Sequence, residues 1–306
     1  MIKRTIVTVL IGIILQVSTF SANSGVGYTA DFLNLGSSAR NYAMGSSDGA
    51  DSGDMWSALN NPAGIPNSSE VLFSSIQQKL FEDTSYNTYG LSFPLFVVDC
   101  AIQYHNLSTT GLNNNYLDTN GRPVLGSSFG SSSEALILSL AKTYSYNQNL
   151  KLILGVNAKA MQETIFDSKG QGIGGDVGII LKIANIQLGY SVINSVQPEM
   201  VWNTSSNTKE KIPELRIGAI QYSSDDKSLK LAMSLHQDAN NTSVFHVGCS
   251  YSLFDIVELR AGMNDSNPSY GLGLKIGGLS VDYGTQLNLN DSQNQSNSKL
   301  TVVLTL

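Results

Sequence analysis

From residue 69 onwards, apolar and polar side chains alternate along the chain with a period of two. Leu150, Leu152, Leu154 and Val156 occupy alternate positions, and mostly lysine, glycine and asparagine lie between them and in the next residues. This alternation predicts β-strands with one apolar and one polar face. It occurs in fourteen segments: 69–77, 86–95, 97–105, 134–146, 150–162, 174–183, 186–193, 213–222, 228–237, 244–253, 256–264, 269–276, 279–287 and 298–306.

Strand lengths and connection lengths separate a membrane barrel from a soluble β-sandwich, which shows the same alternation. Most segments approach the ~9–11 residues that a tilted strand needs to cross a bilayer. Outer-membrane barrels join such strands by short periplasmic turns and longer outer loops. Short connections at 96, 147–149, 184–185, 254–255 and 277–278 here alternate with longer ones that include 106–133, 163–173, 194–212 and 288–297. We therefore predict an all-β fold, a 14-stranded antiparallel outer-membrane β-barrel over 69–306.

The first residues predict the route to that membrane. Lys3 and Arg4 precede an apolar stretch over 5–17, and small residues follow at 18, 19, 21 and 22. This is the layout of a secretory signal peptide, which we assign to 1–22; an uncleaved helical anchor is the alternative. We expect the mature protein in the bacterial outer membrane, with outer-membrane lipid as its surroundings.

Composition agrees with a barrel and excludes other classes. Charged residues make up 14% of the chain, against roughly 25% in soluble domains. The apolar fraction of 42% argues against disorder. A net charge of -6 and the lack of a basic run argue against nucleic acid as a partner.

Residues 23–68 do not follow the strand pattern. They are rich in glycine, serine, alanine and asparagine, yet they contain Phe32, Met44, Trp56 and Leu59. A flexible tail has little use for such large apolar side chains. We favour a small N-terminal plug inside the barrel, with the tail as the alternative.

Three stretches of this segment resemble the amino-terminal signature of the PorV/PorQ family of outer-membrane proteins: 32–40, 43–45 and 56–65. The resemblance implies a FadL-like barrel with an N-terminal segment lodged inside. The Asn-Pro-Ala element at 61–63 is also similar to the hatch motif of FadL-type transporters. The residues that carry the plug motif are Gly36, Ala39, Arg40, Met44, Gly45, Trp56, Asn61, Pro62, Ala63 and Gly64.

The polar faces of the strands predict the wall of the lumen. The lumen-facing charges expected from strand parity are Lys159, Asp176, Arg216, Arg260, Lys275 and Asp282. Glycines expected on the same face leave room for a plug: Gly155, Gly178, Gly189, Gly218, Gly248, Gly262, Gly271 and Gly273. The plug acids Asp31, Asp48, Asp51 and Asp54 are hypothesised to pair with the wall cations; solvation of all these groups is the alternative.

Candidate catalytic and metal sites are weak. His105, His236 and His246 fall on polar strand faces, where we expect solvated lumen residues rather than proton-transfer sites. The spacing of Asp48, Asp51 and Asp54 lacks the pattern of a calcium loop, so a solvated turn is favoured. No nucleophile elbow, zinc motif or phosphate-binding loop occurs. We expect no enzyme, no cofactor and no metal.

Two further patterns have structural interpretations. The glycine-rich run 170–175 is interpreted as a flexible turn of an outer loop. Cys100 and Cys249 lie on apolar faces of different strands, so they are predicted to face lipid and to form no disulfide.

The function has three candidate interpretations. The PorV/PorQ resemblance implies a component or cargo shuttle of type IX-like protein secretion, with secretion-system components or cargo signal domains as partners. The alternative is a FadL-like passive transporter of hydrophobic small molecules. A structural barrel with a surface role in loops 106–133 and 194–212 is the third. A transporter should have an apolar pocket between plug and wall, whereas a shuttle should have exposed apolar outer loops.

Overall fold

In the computed structural model, fourteen strands form a closed antiparallel barrel around a short N-terminal plug, which confirms the predicted FadL-like fold class. The structure describes residues 30–66, 69–81, 83–203, 209–287 and 296–306, so the predicted signal peptide 1–22 lies outside the described residues. The strands are β1 (Leu72–Phe81), β2 (Thr84–Leu95), β3 (Val98–Asn113), β4 (Tyr116–Leu117), β5 (Pro123–Val124), β6 (Ser128–Asn147), β7 (Leu150–Ile165), β8 (Ser168–Ile183), β9 (Ile186–Val196), β10 (Glu199–Trp202), β11 (Lys209–Lys211), β12 (Leu215–Ser223), β13 (Leu229–Asp238), β14 (Ser243–Leu253), β15 (Val257–Asn264), β16 (Asn267–Ile276), β17 (Leu279–Leu287) and β18 (Ser296–Thr305).

Strand pairing follows chain order and closes the sheet on itself. The first and last strands, β1 and β18, pair with Leu72 opposite Thr305. Strands β4–β5 and β10–β11 are hairpins outside the fourteen-stranded circuit, and β10 pairs with the outer end of β8. Closure removes the exposed sheet edges that would otherwise invite aggregation.

Alternation along each strand separates the lipid face from the lumen. On β7, Leu154 and Val156 are 43% and 49% exposed on the outside, whereas Asn157 and Lys159 are buried inside. Outward tyrosines such as Tyr146, Tyr222 and Tyr251 lie near the short turns. An apolar outer band edged by aromatic residues is the lipid-facing surface of an outer-membrane barrel. The chain is therefore a multi-pass β-barrel of the bacterial outer membrane.

Short helical turns are confined to the plug among the described residues. They are 3-10 helices at Asp31–Leu35, Met55–Leu59 and Pro62–Gly64, and an α-helix at Ala39–Ala43. None of the helices in the described part of the chain has the length and apolar character needed to cross a membrane.

The outer connection between β7 and β8 differs from the prediction. β7 and β8 continue until only Phe166 and Asp167 lie between them, so the expected long loop 163–173 is wrong. The glycine-rich run 170–175 belongs to β8 and is not a flexible turn. Side chains of the segment 198–202 pack against its alternate glycines: Trp202 against Gly170, Met200 against Gly172 and Pro198 against Gly174.

The inner face of β12 also differs from the prediction. Ile217 and Ala219 face the lumen and contact Gly49, so Gly218 faces outward with no atom near the position of a Cβ. The predicted lumenal position of Arg216 is wrong for the same reason; its side chain is 57% exposed and pairs with Glu214. Apolar residues lie on both faces of this strand, so alternation could not indicate which one faces lipid.

The two cysteines are free and lie on different strands. Cys249 on β14 is exposed, whereas Cys100 on the outward face of β3 is covered by its neighbours and only 2% exposed. Both therefore have the outward orientation that strand parity predicts.

Candidate functional site: the plugged lumen

The plug is built from short turns that are capped by their own side chains. Ser38 accepts a hydrogen bond from the Asn41 backbone N–H at the start of the α-helix. Asp54 and Asn61 cap the two later 3-10 helices in the same way. Such caps satisfy the free N–H groups at the ends of turns, so a segment with little regular structure holds a defined shape.

Glycines on the inner wall leave the space that the plug backbone occupies. A Cβ added to Gly155 would lie 2.2 Å from the Pro62 carbonyl carbon, and one on Gly178 would lie 2.1 Å from Asn61 Oδ1. The same holds elsewhere on the wall: Gly189 lies against Gly49, Gly248 and Gly262 against Met44, Gly271 against Ala43, and Gly284 against Ala39. Contacts this close exclude any larger residue, so glycine fixes how near the plug lies to the wall.

Polar wall side chains bind plug carbonyls. Gln103 Nε2 donates to the Met55 carbonyl at 2.6 Å, and Asn157 Nδ2 donates to the Ala58 carbonyl at 2.8 Å. In the other direction, Asn61 Nδ2 donates to the wall carbonyl of Ile179 at 3.2 Å. These bonds give buried backbone carbonyls hydrogen-bond partners across the interface between plug and wall. The plug is therefore held at many points.

Lys299 on β18 binds several groups of the plug. Its ammonium donates to the carbonyl oxygens of Leu35 and Ser37 and lies 4.4 Å from the centre of the Tyr42 ring. The residue is 2% exposed. A buried ammonium must have its donors satisfied, and here carbonyl oxygens and an aromatic face do so instead of a carboxylate.

The buried ion pairs do not join the plug to the wall. Arg40 pairs with Asp51 within the plug, at 3.4 Å between Nη2 and Oδ2. On the wall, Lys159 pairs with Asp176 at 2.6 Å, and Arg260 pairs with Asp282 at 2.7 Å. Arg40, Lys159 and Arg260 therefore have ion-pair partners on their own side of the interface, which contradicts the hypothesised pairing for these groups. The wall lysines Lys230 and Lys182 nevertheless help to lower the pKa of Asp51.

Burial changes the titration of the plug acids. Burial raises the pKa of Asp48 to about 7, although Asn60 donates a hydrogen bond to its carboxylate. Burial also raises the pKa of Asp54. Asp51 differs: burial opposes its ionised form, but Arg40 holds its pKa below the ordinary value. Asp51 in turn raises the pKa of Arg40.

These aspartates do not form the solvated turn that was predicted. Asp48 and Asp51 are 3% and 5% exposed, and Asp48 also accepts a hydrogen bond from Asn41 at 3.1 Å. Within the described ranges, no group of three or more His, Cys, Asp or Glu side chains could hold a metal ion.

His105 and His246 are buried inside the barrel, so the prediction of solvated residues is wrong for these two, whereas His236 is half-buried. His105 is fully buried and lies 2.8 Å from the Tyr86 hydroxyl. His246 Nδ1 lies 2.8 Å from the Gly45 carbonyl oxygen of the plug. The rings of His236 and His246 lie in contact, with centroids 4.1 Å apart and planes tilted by 37°.

An apolar cluster lies towards the outer end of the lumen, where the start of the plug meets β2, β6, β7 and β10. We call it the outer cluster; its buried members are Ala30, Phe32, Tyr86, Ala135, Ile137, Met161, Met200 and Ile212. Met200 belongs to the β10–β11 hairpin and Ile212 follows it directly. The hairpin thus covers the outer cluster from the side of the long loops.

The short-turn end of the lumen is polar. A cavity of about 580 Å³ lies there between plug and wall, lined by Arg40, Lys230, Glu258, Arg260, Lys275 and Asp282 among others. The lumen therefore has an apolar cluster at its outer end and a charged cavity at its periplasmic end, and the plug contributes residues to both.

The structure brings most of the predicted site residues together. Gly36 lies against Leu59, Trp56 is fully buried and donates to Ser74 at 2.9 Å, and Ala63 is fully buried beside Ile65. The other plug-motif residues, Ala39, Arg40, Met44, Gly45, Asn61, Pro62 and Gly64, also lie in the interior. Of the predicted lumenal charges, Lys159, Asp176, Arg260 and Asp282 are inside, Lys275 lines the periplasmic cavity, and Arg216 faces outward.

Sequence reasoning missed the residues that bind the plug from the wall. Lys299, Gln103 and Asn157 all occupy inward positions, which strand parity can identify. Parity could not indicate that their partners are backbone carbonyls of a segment more than forty residues away for each of them.

Solved structures with a similar fold are known, whereas no protein-family model and no curated protein matches the sequence. The Ralstonia pickettii toluene transporter TbuX has a TM-score of 0.60 at 14% identity, over 89% of this chain and 98% of that chain. The Pseudomonas putida toluene transporter TodX has a TM-score of 0.54 at 11% identity, over 88% of this chain and 97% of that chain. At such identities the likeness shows the fold, a FadL-like barrel.

Proposed function

We propose that this protein is a passive channel for hydrophobic small molecules in the outer membrane. The observation that carries the proposal is the outer cluster, an apolar region between the plug and strands β2, β6, β7 and β10 at the outer end of the lumen. Barrels that conduct water and ions have polar interiors, so an apolar interior favours an apolar ligand. The likeness to the barrels named toluene transporters supports the same interpretation.

The packing of the outer cluster indicates how a ligand would enter. Phe32, Met161 and Met200 meet there, and methionine side chains adapt to irregular shapes. A small apolar molecule would displace these side chains and the hairpin that carries Met200. The buried hydroxyl of Tyr86 is already bonded to His105, so the cluster has little to offer a charged ligand.

Uptake of a hydrophobic dye by intact cells tests this function. Cells that carry the protein should take up N-phenylnaphthylamine faster than cells with an empty vector. Met200→Gln should slow uptake, because it places an amide in the outer cluster. Val201→Gln on the same hairpin is the matched control, since Val201 is 43% exposed outside. Equal uptake with and without the protein would refute the proposal.

A role in type IX-like secretion, as in PorV/PorQ proteins, is a second candidate. It is favoured by the outer β4–β5 hairpin, where Tyr116, Leu117 and Leu125 in and beside the strands are 59%, 68% and 74% exposed. Exposed apolar groups of this kind suit binding of a cargo signal domain. Leu117→Ser with Leu125→Ser should then reduce cargo binding and leave dye uptake unchanged; unchanged cargo binding would argue against this candidate.

A further inference from the structure

The periplasmic rim of the barrel has two chemically different halves. Three turns carry apolar residues that we call the apolar arc: Phe96, Val97, Phe254, Ile256, Ile276 and Leu279. In the sheet, β3, β2, β1, β18, β17, β16, β15 and β14 follow one another, so these turns are neighbours along the rim. The turns of the opposite half are polar: Asn-Gln-Asn at 147–149, Ala-Asn at 184–185 and Ser-Asp-Asp-Lys-Ser at 224–228.

The large side chains of the apolar arc are highly exposed to solvent. Phe96 and Phe254 are 99% and 91% exposed, and Val97 and Ile276 are both 72% exposed. Phe96 and Phe254 also have positive φ angles of 54°. Glycine or asparagine adopts this conformation at lower cost than phenylalanine. Turn geometry therefore does not explain the aromatic side chains.

The arc is continuous with the lipid-facing belt of the barrel. Leu95 precedes Phe96 on the outer face, and Leu274 precedes Ile276 on the outer face of β16; both leucines are 42% exposed. Among the turns described, only those of the apolar arc extend the lipid-facing apolar surface to their periplasmic tips. Continuity with the belt identifies lipid, rather than a soluble partner, as the surroundings of the arc.

We propose that the apolar arc is immersed in the interfacial layer of the inner phospholipid leaflet. Apolar side chains partition into this boundary layer when they project from a membrane-bound surface. The polar half of the rim stays in water. The barrel consequently lies tilted in the membrane, deeper on the side of β14 to β3 than on the side of β6 to β13.

Fluorescent labels on the two halves test the proposal. Single cysteines at Val97→Cys and Ile256→Cys report on the arc, and Gln148→Cys and Asp225→Cys report on the polar half, all in a Cys100→Ala, Cys249→Ala background. The labelled full chain is reconstituted in phosphatidylethanolamine–phosphatidylglycerol vesicles. Arc labels should emit at shorter wavelength, be quenched by brominated lipid and resist iodide, whereas the polar-half labels should be quenched by iodide.

A second variant separates immersion from local shielding. The double variant Phe96→Asn with Phe254→Asn replaces both phenylalanines by asparagine, which tolerates positive φ. Heat-modifiable migration should therefore confirm a folded barrel. Removal of both aromatic groups should increase iodide quenching of the arc labels several-fold. Equal iodide quenching of all four labels in the parent protein would overturn the proposal, and so would arc labels that brominated lipid does not quench.

Discussion

At the scale of single residues, the inner-wall glycines determine where the plug lies. Gly155→Val would place side-chain atoms where the Pro62 carbonyl lies, 2.2 Å from an ideal Cβ. Overpacking of this kind typically costs about 1–3 kcal/mol, so we expect a displaced plug and increased ion conductance in planar bilayers. Gly218→Val is the matched control, because nothing lies within 4 Å of its Cβ position. Similar conductance in both variants would mean that glycine contacts do not hold the plug.

Asp48 predicts a pH dependence of plug docking. Its pKa is raised to about 7 by burial, against 3.8 for the solvated carboxyl. The docked plug therefore favours the neutral form: docking is strongest below about pH 4 and weakens as the pH rises to about 7. Protease protection of the plug should fall over this window. Asp48→Asn should abolish the pH dependence of protease protection. Asp118→Asn, in an exposed loop, should leave it unchanged. If the pH dependence persists in Asp48→Asn, a different titratable group causes it.

Strand parity predicts the tolerance of single positions to charge. Leu154→Arg on the lipid face should cost about 2–4 kcal/mol of folding free energy near the bilayer centre. Ser280→Arg should be mild, because Ser280 lines the periplasmic cavity. Asn157 also lies on the inner face, but it binds Ala58 and Asp176, so Asn157→Arg should destabilise as well. Equal urea midpoints for Leu154→Arg and Ser280→Arg would contradict the assignment of faces.

At the scale of elements, the β10–β11 hairpin is the movable part of the proposed entry route. Gln171 and Val201 are direct partners between β8 and β10, so Gln171→Cys with Val201→Cys should form a disulfide that locks the hairpin. Oxidation should then reduce dye uptake, and a reductant should restore it. A pair between β7 and β8, Val156→Cys with Val177→Cys, is the control, since these strands belong to the wall. Dye uptake that is unchanged by the disulfide would mean that the ligand does not enter past the β10–β11 hairpin.

The prediction of secondary-structure elements succeeded where alternation alone determined the structure. It failed where contacts with another segment overrode the local pattern. Every strand of the barrel follows from alternation, because lipid on one side and a polar lumen on the other impose it. The outer hairpins were missed, since they lie beyond the membrane. Gly170 and Gly172 resemble loop residues, yet they belong to β8 because Trp202 and Met200 fill the space that their missing side chains leave. Ion-pair partners were also missed, because alternation indicates a face and not a neighbour.

At the scale of the whole molecule, a closed wall surrounds the N-terminal segment. The strands pair with one another around the full circuit, including β1 with β18. We therefore expect the barrel to assemble without the plug. The plug signature was recognisable in the sequence because Met44, Asn61 and their neighbours must fit against wall glycines. The identity of a cargo or ligand does not follow from this fit, because the fit concerns only the contact between plug and wall.

The most direct test of this account is the conductance of a plug deletion in planar bilayers. Deletion of residues 25–60 removes most of the plug and leaves every strand of the barrel in place. We expect the full chain to be nearly silent, and the deletion variant to show stable, ohmic openings while it retains heat-modifiable migration. Unchanged conductance in a correctly assembled deletion variant would contradict the claim that the N-terminal segment closes the lumen.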